Sequence, residues 1–193
     1  MDPTLLSWTE YVAAAFGMVS VWLSTREHLA AWPTAIVNVL LYVVVFREQK
    51  LYADMGLQVV YAGISIYGWW HWARGGTGDT VLPVSRTPAR QRVVLALIAA
   101  TGSAVLGALL ARYSDAALPW ADATLSSTSL VAQWMLTRKL LENWLVWIAL
   151  DVCYVAMFVM KGLWPTAGLY AGFLVLAWIG WKRWRESLRA QTA

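Results

Sequence analysis

Sliding the sequence against itself by 112 positions pairs residues 8–72 with 120–184 without a gap. That register aligns Trp8 with Trp120, Trp22 with Trp134, Thr25-Arg26 with Thr137-Arg138, Trp32 with Trp144, Ile36 with Ile148, Tyr42 with Tyr154 and Phe46 with Phe158. Further on it aligns Leu51 with Leu163, Gly56 with Gly168, and the closing Gly68-Trp69-x-x-Trp72 with Gly180-Trp181-x-x-Trp184. The chain holds 14 Trp in 193 residues, so single matches are partly chance. A Trp-x-x-Thr-Arg and a Gly-Trp-x-x-Trp at one shared offset are not. Repetition at a fixed offset marks an architecture built from copies of one unit.

The unit is made of membrane helices. Hydrophobic residues make up 60% of the chain, charged residues 13%, and the mean hydropathy is +0.53, which excludes disorder and disfavours a soluble domain. A bilayer-spanning helix needs about 20 largely apolar residues, and runs of that kind occur at 8–25, 32–46, 51–73, 92–112, 143–160 and 163–181. The segment 122–137 has the length of a seventh but carries so many hydroxyls that hydropathy leaves it undecided. The repeat decides it, because 120–138 is the partner of the first helix. The sequence therefore predicts an all-α integral membrane protein of seven transmembrane helices. It forms one transmembrane domain over 1–193, with a first three-helix repeat at 8–73, a linker helix at 92–112 and a second repeat at 120–184. An odd linker lets both triplets run in the same direction, related by an axis along the membrane normal, as in parallel transporter repeats. The N-terminus lacks a basic n-region and a small-residue cleavage site, so the first apolar run is expected to be a retained span.

Lys and Arg set the expected orientation. Loops on one side hold Arg26, Arg74, Arg86, Arg90, Arg92, Arg138, Lys139, Lys182, Arg183, Arg185 and Arg189, against Arg47, Lys50, Arg112 and Lys161 on the other. This places the N-terminus outside and the C-terminus in the cytoplasm. It also accounts for the net charge of +4 without nucleic acid as a partner. The longest loop, 75–88, is rich in Gly and Pro and reads as a flexible cytoplasmic connector. Cys153 is alone and cannot form an internal disulfide; His28 and His71 sit beside span ends, and no cluster has metal-ligand spacing. No metal, cofactor or catalytic group is expected. A retinal protein would need a mid-span Lys on the last helix, and 163–181 has none; an intramembrane protease would need a Ser/His or paired-Asp site at depth, and no His lies there.

Polar side chains inside a bilayer need a partner or a water-filled cavity, so their positions carry the functional signal. On the sixth helix Trp144, Trp147, Asp151, Tyr154 and Phe158 are spaced three and four apart and share one face. The third helix does the same with Asp54, Gln58, Tyr61, Ser65, Gly68 and Trp72. The second adds Asn38, the fifth Thr128, Ser129, Gln133 and Trp134, and the seventh Tyr170. A lumen of amides, hydroxyls and rings suits an uncharged or singly charged heterocycle that stacks and hydrogen-bonds. A phosphate would want Arg or Lys at depth, and none lies mid-span.

Each residue has a structural alternative. Trp8, Trp32, Trp69, Trp70, Trp120, Trp164, Trp178, Trp181 and Trp184 lie near span ends and fit interfacial belts. Asp54, one turn into its helix, suits the helix dipole. The fifth-helix hydroxyls suit back-bonding or close helix approach, and Asn38 and Gln58 suit interhelical bonding. Asp151 is different: it lies about two turns inside a span, where acids are rare and usually functional.

Three strings, Leu51-Tyr-Ala-Asp-Met-Gly-Leu-Gln-Val-Val-Tyr61, Tyr67-Gly-Trp-Trp-His-Trp72 and Thr137-Arg-Lys-Leu-Leu-Glu-Asn-Trp-Leu-Val-Trp147, resemble signatures of the PnuC-type vitamin transporters, and the resemblance spans nearly the whole chain. It implies a bacterial inner-membrane, multi-pass protein with the three-plus-one-plus-three fold also seen in SWEET sugar transporters. It further implies a homo-oligomer such as a trimer, and uptake of nicotinamide riboside, thiamine or riboflavin by facilitated diffusion, with a cytoplasmic kinase trapping the vitamin as its phosphate. Carried over by residue, the family's Trp-x-x-Trp falls on Trp144 and Trp147, and its polar positions on Asn38 and Gln58. Asp151 stands where a nicotinamide riboside carrier of the family has Asn; a carboxylate favours a cationic vitamin over neutral riboflavin and does not separate nicotinamide riboside from thiamine. Nicotinamide riboside is the expected substrate and thiamine the alternative.

Overall fold

The computed structural model describes residues 3–48, 50, 52–78, 80–114, 118–160 and 162–191, so Leu51 and Lys161 of the sequence reading lie outside it. The described residues form seven helices: α1 (Pro3–Thr25), α2 (Ala31–Glu48), α3 (Tyr52–Arg74), α4 (Ala89–Tyr113), α5 (Pro119–Thr137), α6 (Asn143–Met160) and α7 (Trp164–Ala190). Among the described residues, α2, α4 and α6 are long and apolar enough to cross a membrane by composition alone. The polar segment around 120–138 is α5, with Pro119 in its first turn, where the missing N–H costs no hydrogen bond. α7 continues past residue 181 to Ala190, because Trp184 is fully buried and extends the packed stripe into the basic end.

Six helices form a closed ring in chain order. α1 packs on α2, α2 on α3, α3 on α5, α5 on α6, α6 on α7, and α7 returns to α1. α4 lies outside the ring against α5, where Gly107 receives the ring of Trp120 and any Cβ would collide with it. The remaining surface of α4 is apolar and exposed, with Val93, Leu97, Ile98 and Val105 uncovered, as a lipid-facing helix requires.

The turns that close α1 and α5 have one geometry. In the first, the amides of Glu27 and His28 donate to the carbonyls of Ser24 and Leu23; in the other, those of Lys139 and Leu140 donate to Leu136 and Met135, all at 3.0 Å. This is the Schellman pattern. It puts Glu27 (φ 55°) and Lys139 (φ 47°) in the left-handed region that usually falls to Gly.

The loop at 75–88 is not a flexible connector. Ser85 bridges Leu140 in a parallel pair, its amide donating to the Lys139 carbonyl (3.0 Å) and its carbonyl accepting from Leu141 (2.8 Å). The Thr87 amide and hydroxyl both donate to Glu142 Oε2, at 2.8 and 2.7 Å. Val84 is buried in the main hydrophobic cluster. The loop is a strap stapled across the α5–α6 turn.

Candidate substrate lumen

The ring encloses a cavity of about 470 Å³, within the range of small-molecule sites. The five-residue face of α6 faces it entire: Trp144, Trp147, Asp151, Tyr154 and Phe158 all line it. Of the α3 face, Gln58, Tyr61 and Ser65 line it, whereas Asp54 is exposed elsewhere. Asn38, Gln133 and Tyr170 complete the expected set.

Two expected residues are not brought there. Thr128 is absent from the cavity wall, and Trp134 is 38% exposed on the outside of the ring, stacked on Tyr67 with planes 8° apart and rings 5.4 Å apart. The α5 residues that do line the cavity, Ser126, Ser129, Gln133 and Leu136, are spaced three, four and three apart; Thr128 and Trp134 fall off that stripe.

The polar groups are held in defined orientations. Asn38 Nδ2 donates to the Ala13 carbonyl on α1 at 2.6 Å, leaving its oxygen for other work. Ser129 donates its one hydroxyl hydrogen to the Ser126 carbonyl (2.8 Å), so the 2.5 Å contact between Tyr61 and Ser129 has Tyr61 as donor. Asp151 is 4% exposed and makes no hydrogen bond or ion pair with another described residue. Among the described residues that line the cavity there is no Lys, Arg or His, and Asp151 is the one carboxyl group.

Aromatic rings cover one end of the cavity. Tyr154 and Tyr170 lie 4.6 Å apart, Phe158 and Tyr170 5.2 Å, and Tyr42 stacks on Phe46 at 5.6 Å. Tyr42, Phe46 and Phe173 are lining residues that the sequence reading does not single out for the site, although Tyr42 and Phe46 are matched in the 112-residue register.

The other end is a tryptophan floor. Trp32 meets Trp72 edge-on at 5.2 Å and 88°, and Trp144 meets Trp184 at 5.3 Å and 85°. Gly68 and Gly180 admit those rings: a methyl group at Gly68 would strike Trp32, and one at Gly180 would strike Trp144. Trp72 Nε1 donates to the Leu136 carbonyl and Trp184 Nε1 to the Ser24 carbonyl, each at 3.0 Å. Trp32 and Trp184, read from sequence as belt residues, are therefore core, at 2% and 0% exposure. Trp8, Trp69, Trp70, Trp120, Trp164 and Trp178 are exposed as belts require. No group of three or more His, Cys, Asp or Glu able to hold a metal exists among the described residues.

Known proteins fit this geometry. The family model described as nicotinamide mononucleotide transporter matches residues 7–186. The nicotinamide riboside transporter PnuC of Escherichia coli (strain K12) is 26% identical over 95% of this chain and 87% of its own. The riboflavin/roseoflavin transporter RibM of Streptomyces davaonensis is 25% identical over 92% of this chain and 84% of its own. A crystal structure of the vitamin B3 transporter PnuC superposes with a TM-score of 0.76 at 23% identity, covering 95% of this chain and 83% of that one, and shows the same fold.

Proposed function

From the premise that this chain belongs to the nicotinamide mononucleotide transporter family, a family of membrane transporters, we propose that it takes up nicotinamide riboside by facilitated diffusion. The observation that carries the choice of substrate is Asp151, an unpaired buried carboxylate in a lumen that offers no positive side chain. A buried charge without a partner is costly, and a pyridinium entering the lumen supplies one. Trp147 and Tyr154, on the same face, present rings on which the heterocycle stacks. Asn38, Gln58 and Gln133 offer amides to the carboxamide and ribose.

The transport cycle in this reading rocks one three-helix repeat (8–73) against the other (120–184) around the central site. The chain resides in a bacterial inner membrane with the N-terminus outside, works as a homo-oligomer, and delivers substrate to a cytoplasmic kinase that traps it as a phosphate. No ion gradient drives it, so equilibration across vesicles proceeds with the membrane potential and the proton and sodium gradients collapsed; loss of uptake under those conditions overturns that part. Thiamine, also a cation, is the alternative. Riboflavin has support from the RibM relative and lacks the charge that Asp151 would neutralise. Binding of nicotinamide riboside, thiamine and riboflavin to the purified protein, followed by tryptophan fluorescence, tests the order. Tightest binding by riboflavin would reject the charge argument, and binding of none would reject the site.

A further inference from the structure

Glu27 and Lys139 stand 112 residues apart, so they are partners in the same register that matches the two halves of the sequence. Each occupies the left-handed position of a Schellman turn, Glu27 between α1 and α2 and Lys139 between α5 and α6. Their side chains meet at 3.0 Å. The Lys139 ammonium lies 4.7 Å over the Trp72 ring and the residue is 1% exposed, while the Glu27 side chain keeps 24% of its exposure.

What distinguishes this pair is what it connects. The halves touch through their neighbouring helices, α1 with α7 and α3 with α5; α1 and α2 do not pack on α5 or α6. The Trp72 and Trp184 hydrogen bonds follow those neighbouring seams, α3 to α5 and α7 to α1. The Glu27–Lys139 pair instead runs across the ring, joining two turns beside the tryptophan floor. We propose that this ion pair is a latch that holds the tryptophan-floor end of the lumen shut and parts once in every transport cycle.

The chemistry suits a reversible closure. An ion pair removed from water gains little net stability, because desolvation offsets much of the attraction. Opening the end readmits water to both charges, so the separated state is also satisfied, whereas an apolar plug would expose bare surface. Glu27, the partly exposed partner, is the one water reaches first. Burial pulls the Lys139 ammonium below the ordinary lysine range, and the neighbouring Glu27 carboxylate opposes that shift. The strap reinforces the same turn: Ser85 accepts from Leu141 and donates to the Lys139 carbonyl, fixing the backbone that presents the lysine.

The test uses the full chain in vesicles, with Cys153→Ser as background and Glu27→Cys plus Lys139→Cys joined by a short, reducible thiol crosslinker. Joining the two positions should cut transport of nicotinamide riboside more than tenfold and slow labelling of a Ser24→Cys probe from the floor end, both reversed by reduction. Fluorescence-detected ligand binding should change less than about threefold. The labelling rate reads the latch whichever vitamin is carried, so a wrong substrate and a wrong latch give different results. In a second arm, Glu27→Gln and Lys139→Met should each raise the labelling rate, and the charge swap Glu27→Lys with Lys139→Glu should bring it back, since both sites share one backbone conformation. Joined protein that transports and labels at the unjoined rate overturns the proposal, as does a charge swap that folds and labels like the single variants.

Discussion

The helices α1–α3 and α5–α7 are alike at the floor of the lumen and unlike along its walls. At the floor, Trp32, Gly68 and Trp72 repeat the arrangement of Trp144, Gly180 and Trp184 to within 0.1 Å in ring separation, 5.2 against 5.3 Å. One turn higher the register pairs Val39 with Asp151, Ala35 with Trp147, Val21 with Gln133 and Asn38 with Leu150, all but Leu150 lining the cavity. Two copies of a closure work best when they match, because the parts must meet each other. A binding site has to fit a molecule with no such symmetry, so its two walls are free to diverge, and here the charge and the larger rings sit on the second.

The sharpest way to break that comparison is to truncate the floor on each side. Trp144→Ala and Trp32→Ala should each destabilise the protein by about 3–5 kcal/mol, the usual range for a buried Trp, and by similar amounts, read from thermal unfolding in detergent. A difference beyond about 2 kcal/mol between them would mean the floor is not shared equally. Gly68→Ala and Gly180→Ala should cost less, about 1–3 kcal/mol each, by forcing a rigid ring to move. The walls should behave in the opposite way. Asp151→Asn should weaken nicotinamide riboside binding on the order of tenfold, about 1.4 kcal/mol, with little change in unfolding temperature. Val39→Asp in that background should not restore it. The smallest effect belongs to Trp178→Ala, which removes an exposed ring and should leave both binding and unfolding within error.

Much of this was legible in the sequence, and for identifiable reasons. Helices are local: spanning-length apolar runs and the shared register located all seven, including the hydroxyl-rich α5. The α6 face was legible because spacing along one helix fixes which side chains lie together. The same rule held the information to leave out Thr128 and Trp134, each one residue away from Ser129 and Gln133 on the lumen stripe, about 100° around the helix. What was not legible depends on contacts between distant segments. Trp32 reads as a belt residue until Gly68, on another helix, is seen to leave room for its ring. Trp8 and Trp120 are matched in the register as well as Trp32 and Trp144 are, yet both are exposed, so repetition alone does not sort border from core. The strap misled for a similar reason: Gly and Pro signal flexibility, while the carbonyl and carboxylate that fix Ser85 and Thr87 come from residues more than fifty positions away.

The strap also divides the molecule differently from its helix count. From Ser85 onward the chain is committed to the later helices, through Ser85 and Thr87 on the α5–α6 turn and α4 on α5, whereas the Leu82 amide still donates to the Trp72 carbonyl on α3. The exposed stretch around Thr77 and Gly78, where Gly78 turns with φ 70°, lies between the two bodies. The protein is thus already close to two subunits joined by a few residues. Two separately encoded polypeptides, broken at that point, would keep every packing surface needed to find each other in a membrane.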